Sequence, residues 1–248
     1  MIKGIYTSAS GMKVNQERLN ITANNLANVD TSGFKRDEAV QRSFREELIH
    51  RIEGNKATPL GSTGSGVMME GTFTQHQQGP LQATGNQLDL ALEGSGFFVI
   101  DTPEGERYTR DGNFTINEEG LIVTQQGYPV LGEDGPLQTI LDQDINIDTN
   151  GQVHLGDIAG DSFQILDFED PQLLEKTGDN LYRANEDVEE IDADFQIRQG
   201  YLENSNVNIV QEMVNMIQVN RHYEANQKVI TTNDNILEQA VNSIARLG

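Results

Sequence analysis

The residues best spaced for chemistry lie between 146 and 157. Asn146, Asp148, Asn150, Gly151 and Asp157 occupy positions 1, 3, 5, 6 and 12 of a loop of the kind that wraps Ca²⁺, with Val153 at position 8. Oxygen ligands at alternate positions and a glycine at the sharp turn are what such coordination requires. Position 1 is Asn, however, position 12 is the shorter Asp, and no helix is readable on either side. A turn between two strands accounts for the same residues. The other chemistry-bearing types form no site. His50, His76, His154 and His222 fall on different expected elements with no His-x-x-x-His pair, and there is no Cys. Zinc centres, iron–sulfur clusters and a thiolate nucleophile are therefore not expected. Gly61, Gly64 and Gly66 cluster without a Lys and precede no helix, which reads as linker and not as a phosphate loop. No Gly-x-Ser-x-Gly elbow occurs, and carboxylates are too plentiful for any pair to stand out as acid and base. The chain is expected to hold no cofactor and no metal and to be no enzyme.

The elements that carry these residues divide by charge. The 248 residues have a formal charge of −22. Residues 1–56 carry 9 Lys and Arg against 7 Asp and Glu, residues 57–200 carry 5 against 27, and residues 201–248 carry 3 against 5. The middle holds the whole excess and the ends are nearly neutral. So acidic a chain is a poor partner for nucleic acid or for an anionic membrane surface. Its longest apolar runs, such as Phe97-Phe98-Val99-Ile100, are far too short to span a bilayer. The first residues lack the apolar core of a secretory signal, so export by another route is expected if the chain leaves the cytoplasm.

Periodicity gives the neutral ends their structure. Ile5, Ala9, Met12, Gln16, Leu19, Ala23 and Leu26 succeed one another at alternating steps of 4 and 3. This is a heptad line with Gln16 as its polar member. At the other end Ile209, Met213, Met216, Asn220, Tyr223, Gln227, Ile230, Asp234, Leu237, Val241 and Ile244 repeat the alternation, and Val210, Val214 and Ile217 widen the stripe. Asn220, Gln227 and Asp234 share one heptad position. Either they fix the register of a seam, or the true seam drifts and they reach water. Both ends are expected to be long amphipathic helices, ordered mainly by packing between copies.

Between them the chain reads as β. Val40, Phe44, Leu48 and Ile52 at steps of four predict a further short helix, and Gly54–Pro59 with Gly61–Gly66 predict a linker. From Val67 onward, short runs of β-branched and aromatic residues are punctuated by Asp111-Gly112-Asn113, Glu118-Glu119-Gly120, Asp134-Gly135 and Asn150-Gly151. Alternation is clear in Ile145-Asn146-Ile147-Asp148 and in Asp194-Phe195-Gln196-Ile197. The expected fold class is α+β: discontinuous N- and C-terminal coiled-coil helices with an inserted antiparallel β-rich domain.

Three blocks resemble a known family, the bacterial flagellar rod and hook proteins. Ala23-Asn24-Asn25-Leu26-Ala27-Asn28-Val29-Asp30-Thr31-Ser32-Gly33-Phe34-Lys35 is similar to its N-terminal signature. Gly94-Ser95-Gly96-Phe97-Phe98-Val99, Tyr108-Thr109-Arg110-Asp111-Gly112-Asn113-Phe114 and Gly127-Tyr128-Pro129-Val130-Leu131-Gly132 are similar to its central β-domain motif. Gly200-Tyr201-Leu202-Glu203-Asn204-Ser205-Asn206-Val207-Asn208, with Glu212–Ile217 and Arg221–Ala225, is similar to its C-terminal helix. The resemblance implies a structural subunit of the basal-body rod that self-assembles into a hollow helical shaft transmitting torque from motor to hook. It implies export by the flagellar type III system, neighbouring rod and hook proteins as partners, and a place in the basal body outside the cytoplasmic membrane. Proximal and distal rod positions both remain open. A short hook or hook-junction component is the nearer alternative, and an extracellular calcium-binding adhesin or hydrolase the remote one.

On this basis residues 1–33 are expected to be an N-terminal axial helix, 34–66 a connecting segment and linker, and 67–200 the acidic β-rich domain. Residues 201–248 would be a C-terminal axial helix pairing with 1–33. The assembly interface is expected to hold Ile5, Ala9, Met12, Leu19, Ala23, Asn24, Asn25, Leu26 and Asn28 from the first end. From the second it would hold Ile209, Met213, Met216, Ile217, Tyr223, Ile230, Leu237, Val241 and Ile244. Asn24, Asn25 and Asn28 offer donors and acceptors near a helix end, for local capping or for bonds between subunits. Gly33 is expected to have positive φ and to end the helix, and Arg110 to pair with Asp111 in a hairpin.

Overall fold

A computed structural model describes residues 2–44, 47–53, 56–139, 145–156, 158–185 and 188–245. The chain is α+β, with one long helix at each end and strands between, and it clusters into two units. The first comprises Met1–Ala27, Asp37–Phe73 and Asn208–Gly248, and the second Asn28–Arg36 and Thr74–Val207.

In the first unit helix α1 runs Ile2–Ala27 and helix α2 runs Ile209–Ala245. Neither holds a Pro, and the Asn208 side chain accepts the Gln211 N–H at 3.1 Å, capping the start of α2. Among the described residues no helix is long and apolar enough to cross a membrane. α1 stops at Ala27, earlier than the expected Gly33. Where a helix was expected over 40–52 and a linker over 54–66, most of the described residues are strand. Strand Asp37–Ser43 pairs with Val67–Thr74, and Glu47–Glu53 pairs antiparallel with Lys56–Thr63. A step of four is also twice the strand period of two, so Val40 to Ile52 could not distinguish the two structures. The partner residues, with Thr58, Thr63, Val67, Thr72 and Thr74, are strand formers. Pro59 is tolerated because it lies opposite His50, where the register shifts.

The second unit is built on a six-stranded antiparallel sheet. Its strands lie in the order Glu175–Gly178, Leu181–Arg183, Gly105–Thr109, Phe97–Thr102, Ile165–Phe168 and Glu190–Asp192. Phe97–Thr102 is central, and this explains its uninterrupted apolar run. Phe98 and Ile100 enter one core with Leu90, Phe114, Ile122, Val130 and Phe163, while Phe97 and Val99 enter another with Tyr108, Phe168 and Tyr182. A strand covered on both sides loses the alternation that marks a half-exposed one.

The smaller pairings agree with the turn signals. Glu118-Glu119-Gly120 joins Phe114–Ile116 to Ile122–Thr124, and Asn150-Gly151 precedes Gln152–Leu155, which pairs with Ile145–Ile147. Glu133 and Asp134 separate the paired Gly132 and Gly135. Asp111-Gly112-Asn113 is the exception, because the strands on its two sides pair elsewhere and not with each other. Its glycine is required by close packing: a Cβ on Gly112 would lie 1.7 Å from the Leu90 carbonyl oxygen.

The loop first considered for calcium is a turn. Asp148 Oδ1 accepts the N–H groups of Asn150 and Gln152 at 2.9 and 3.0 Å. Asp157 lies outside the described residues, and among those described no cluster of three His, Asp or Glu is placed to hold a metal.

Candidate assembly surface

Within the first unit the two helices pair in opposite directions. The nearest atom across from Gly4 belongs to Asn233 and that across from Gly11 to Asn226. A Cβ on Gly11 would approach Asn226 Nδ2 to 3.0 Å, so the backbones are close there. Ser8, Asn15 and Thr22 lie on the same face of α1 as Gly4 and Gly11 and are buried. On α2 the line Glu212, Val219, Asn226, Asn233 and Ala240, spaced by seven, is buried or half-buried, as is the flanking line Met216, Tyr223, Ile230 and Leu237.

Burial along both helices therefore repeats every seven residues, with one line of each helix displaced by a residue from the most hydrophobic choice. Ile5, Met12, Leu19 and Leu26 are half-buried, whereas Ala9, Gln16 and Ala23 are exposed and Ser8, Asn15 and Thr22 take their place. Met216, Tyr223, Ile230 and Leu237 are half-buried, while Ile209, Met213, Ile217 and Val241 are exposed. Asn220, Gln227 and Asp234 are exposed in the single chain, off the seam between its two helices. The side chain of Ile244 lies outside those described. Hydropathy ranks side chains by their dislike of water, whereas close approach of two backbones selects small ones, and sequence reading relied on the first. The signal it passed over was the seven-residue repeat of small and polar residues beginning at Gly4 and Ser8.

What this pairing leaves uncovered is the widened stripe of α2. Val210, Met213, Val214 and Ile217 fall at the i, i+3, i+4, i+7 spacing of one helix face and are 71%, 49%, 42% and 54% exposed. Four large apolar residues in two turns form a contiguous patch, the kind of surface that marks a protein contact.

The Asn cluster is used within the chain. Asn25 Nδ2 donates to the Asp37 carbonyl at 2.8 Å, and Asn25 Oδ1 accepts the Asp37 N–H at 3.0 Å. One buried side chain thus fastens the end of α1 to the first strand. Asn28 accepts from the Thr31 N–H and hydroxyl at 3.2 and 3.3 Å, so it caps a turn, and Asn24 is exposed.

In the second unit three residues, one from each signature block, form a buried charge cluster. Lys35 Nζ lies 2.5 Å from Glu203 Oε1, both side chains being 1% exposed. The same oxygen accepts the Gly79 N–H at 2.7 Å. Arg110 Nη1 stands 3.5 Å from Glu203 Oε2, its Nη2 donates to the Gly94 carbonyl at 2.8 Å, and its guanidinium lies over the Phe97 ring. Burial pulls both cations below their ordinary pKa, with Glu203 as the main opposing influence. Arg110 thus pairs with Glu203 and not with its neighbour Asp111, whose Oδ1 accepts the Asn113 N–H. Gly33 does have positive φ, at 67°, but it seats the chain against Arg110 and Asp111, where a Cβ would meet the Asp111 N at 2.4 Å. Sequence reading placed Lys35, Arg110 and Glu203 in the motifs without joining them, since 168 positions separate the first from the last.

Each signature block lies within the match to a known family model. Residues 5–35 match the family model described as flagella basal body rod protein. Residues 91–155 match that of the flagellar hook protein FlgE/F/G D1 domain, and 198–243 that of the flagellar basal body rod FlgEFG protein C-terminal. The chain is 36% identical to the flagellar basal-body rod protein FlgG of Bacillus subtilis, over 98% of this chain and 99% of that one. It is 38% identical to FlgG of Borreliella burgdorferi, over 98% of each, and 36% identical to the rod protein FlgF of Caulobacter vibrioides, over 100% and 99%.

Proposed function

The chain belongs to the flagellar basal-body rod protein family, whose members are structural proteins of the basal body and not enzymes, and from that membership we propose that it polymerises through its terminal helices into a hollow shaft. The observation that carries this reading is the face of α2 at Val210, Met213, Val214 and Ile217, exposed although apolar. A second copy is its occupant: both ends of the chain are nearly neutral, so copies can approach there without the repulsion that the acidic residues 57–200 impose elsewhere. The same acidic surface keeps free subunits soluble. The helices act as axial segments in coiled-coil contact with neighbouring copies. Neighbouring rod and hook proteins cap the two ends of the polymer, the flagellar type III system exports the subunit, and the shaft transmits torque from motor to hook.

Met213→Asp tests this reading. Met213 is half exposed and outside the intramolecular seam, so the variant is expected to keep the circular dichroism of the free chain while losing polymer formation and motility. Leu19→Asp, in the half-buried line of α1, is expected to lose both the polymer and part of the helical signal. Normal flagella built from Met213→Asp would overturn the proposal.

A further inference from the structure

We infer that residues 28–36 are a latched strap, locked onto the β-rich unit by Lys35 and Glu203 and able to open by itself while the sheet beneath it stays folded. This does not rest on the assembly reading, because it concerns the single chain.

The strap is held differently from the rest of its unit. Neither apolar core includes any of its residues. Apart from the buried Phe34 ring its fastenings are polar: the Gly33 N–H donates to the Glu203 carbonyl at 2.7 Å, the Arg36 N–H to Asn206 Oδ1 at 2.8 Å, and Lys35 Nζ to the Gln77 carbonyl at 3.0 Å. Asn180 reaches the Ser32 carbonyl at 2.9 Å, and Lys176 donates to the Lys35 carbonyl at 2.7 Å while lying over the Phe34 ring. At the centre is one carboxylate shared by Lys35, Gly79 and Arg110.

Such a fastening is cooperative. Ion pairs out of water are strong while complete, and removing one partner leaves the other buried and uncompensated. When the whole strap lifts, Lys35 and Glu203 return to water together and recover their hydration, which offsets part of the cost of opening. A core of Phe98 and Ile100 has no such compensation on exposure. The latch also sits where the chain leaves the unit. Residue 28 comes directly after the last residue of α1, and five residues separate Glu203 from the start of α2. Closing the latch fixes both exits by one event.

Native-state hydrogen exchange of the full chain in rising, sub-denaturing urea tests this. The amides of Gly33 and Arg36 are expected to exchange through an opening with less than half the urea dependence shown by Phe98 and Val99. In Lys35→Met their exchange is expected to be about 100-fold faster with the Phe98 and Val99 amides unchanged, and Lys35→Arg is expected to restore most of the protection. Strap and sheet amides sharing one urea dependence in the unaltered chain would overturn the inference, whether or not Lys35→Met folds. Equal acceleration of all amides in Lys35→Met would overturn it too.

Discussion

Strand Phe97–Thr102 and the first turns of α2 are both rich in large apolar residues, and the chain treats them in opposite ways. Phe98, Val99 and Ile100 are 0% exposed, covered on both sides by residues drawn from most of the second unit. Val210, Met213, Val214 and Ile217 stay uncovered, while the seam between the helices is given to Ser8, Asn15, Thr22, Asn226 and Asn233. An apolar run therefore does not report by itself where a core lies. It reports that cover is required, and whether the cover comes from the same chain depends on what the remaining faces can accept. The β unit covers its large apolar residues in one copy, whereas the helix pair buries its small and polar line, half-buries the apolar line beside it and leaves Val210, Met213, Val214 and Ile217 exposed, the face proposed to meet a second copy.

The sharpest way to break this comparison is to truncate one residue on each side of it. Phe98→Ala removes a ring that makes edge contacts with Phe114 and Phe163, and the expected loss in urea unfolding of the β unit is about 3–5 kcal/mol. Ile217→Ala is expected to change the stability of the free chain by less than about 0.5 kcal/mol while weakening polymer formation severely. Comparable losses from both would mean that α2 is covered within the chain and that the two regions are alike. A smaller effect is expected at the end of α1. Asn25→Ala leaves the N–H and carbonyl of Asp37 without the side chain that pairs with both, and the helix signal is expected to fall by about 2 kcal/mol of stability.

Most of the architecture was legible because local rules and tertiary structure agree. The two helices, the β-rich middle, the turns at Gly120 and Asn150-Gly151 and the alternation at Ile145–Ile147 all come from period and turn chemistry. The failures share a cause. At Val40–Ile52 the spacing satisfied two periods at once, and the choice was made by strand 56–63, which read as a linker, and by strand 67–74. Along the helices a one-residue displacement of the seam arises from backbone approach at Gly11, which hydropathy does not encode. Arg110 was given its adjacent carboxylate because a partner 93 residues away leaves no local trace. The first block extends beyond α1: Phe34 and Lys35 are both buried within the β unit, which shows why one motif spans both a helix end and the strap beyond it.

The β unit is closed but not optimal, and pH exposes the difference. Asp111 is held among groups that disfavour its charge: burial, and then the nearby Asp89, raise its pKa to about 6, against the pull of the Asn113 N–H. A carboxyl whose pKa is higher folded than unfolded gives its full stability below the unfolded value and loses it as pH rises through the folded one. The unit is therefore expected to lose stability between about pH 4 and pH 6 from this group and to carry the full cost at pH 7. A two-unit shift corresponds to roughly 3 kcal/mol at most, and partial exposure of the side chain reduces the expected figure to about 1–2 kcal/mol. Asp111→Asn keeps an acceptor for Asn113 without the charge. It is expected to unfold later than the unaltered chain at pH 7.5 and together with it at pH 4. A gain that persists at pH 4 would place its origin elsewhere than in ionisation.

The finest distinction lies between two adjacent residues of α2. Val219 is 1% exposed and on the displaced line, while Asn220 is exposed and on the line that hydropathy favours. If the seam runs where small side chains let the helices meet, Val219→Ala is expected to lower the thermal stability of the helix pair by about 1 kcal/mol. Asn220→Ala is expected to raise it by a few tenths, since Ala is the better helix former and no buried bond is lost. The reverse order would restore the undisplaced seam and return Met213 to the interior of the pair. With it would go the contrast on which the separate fates of the two regions depend, because the apolar residues of α2 would then be covered by α1 just as Phe98 is covered by its own sheet.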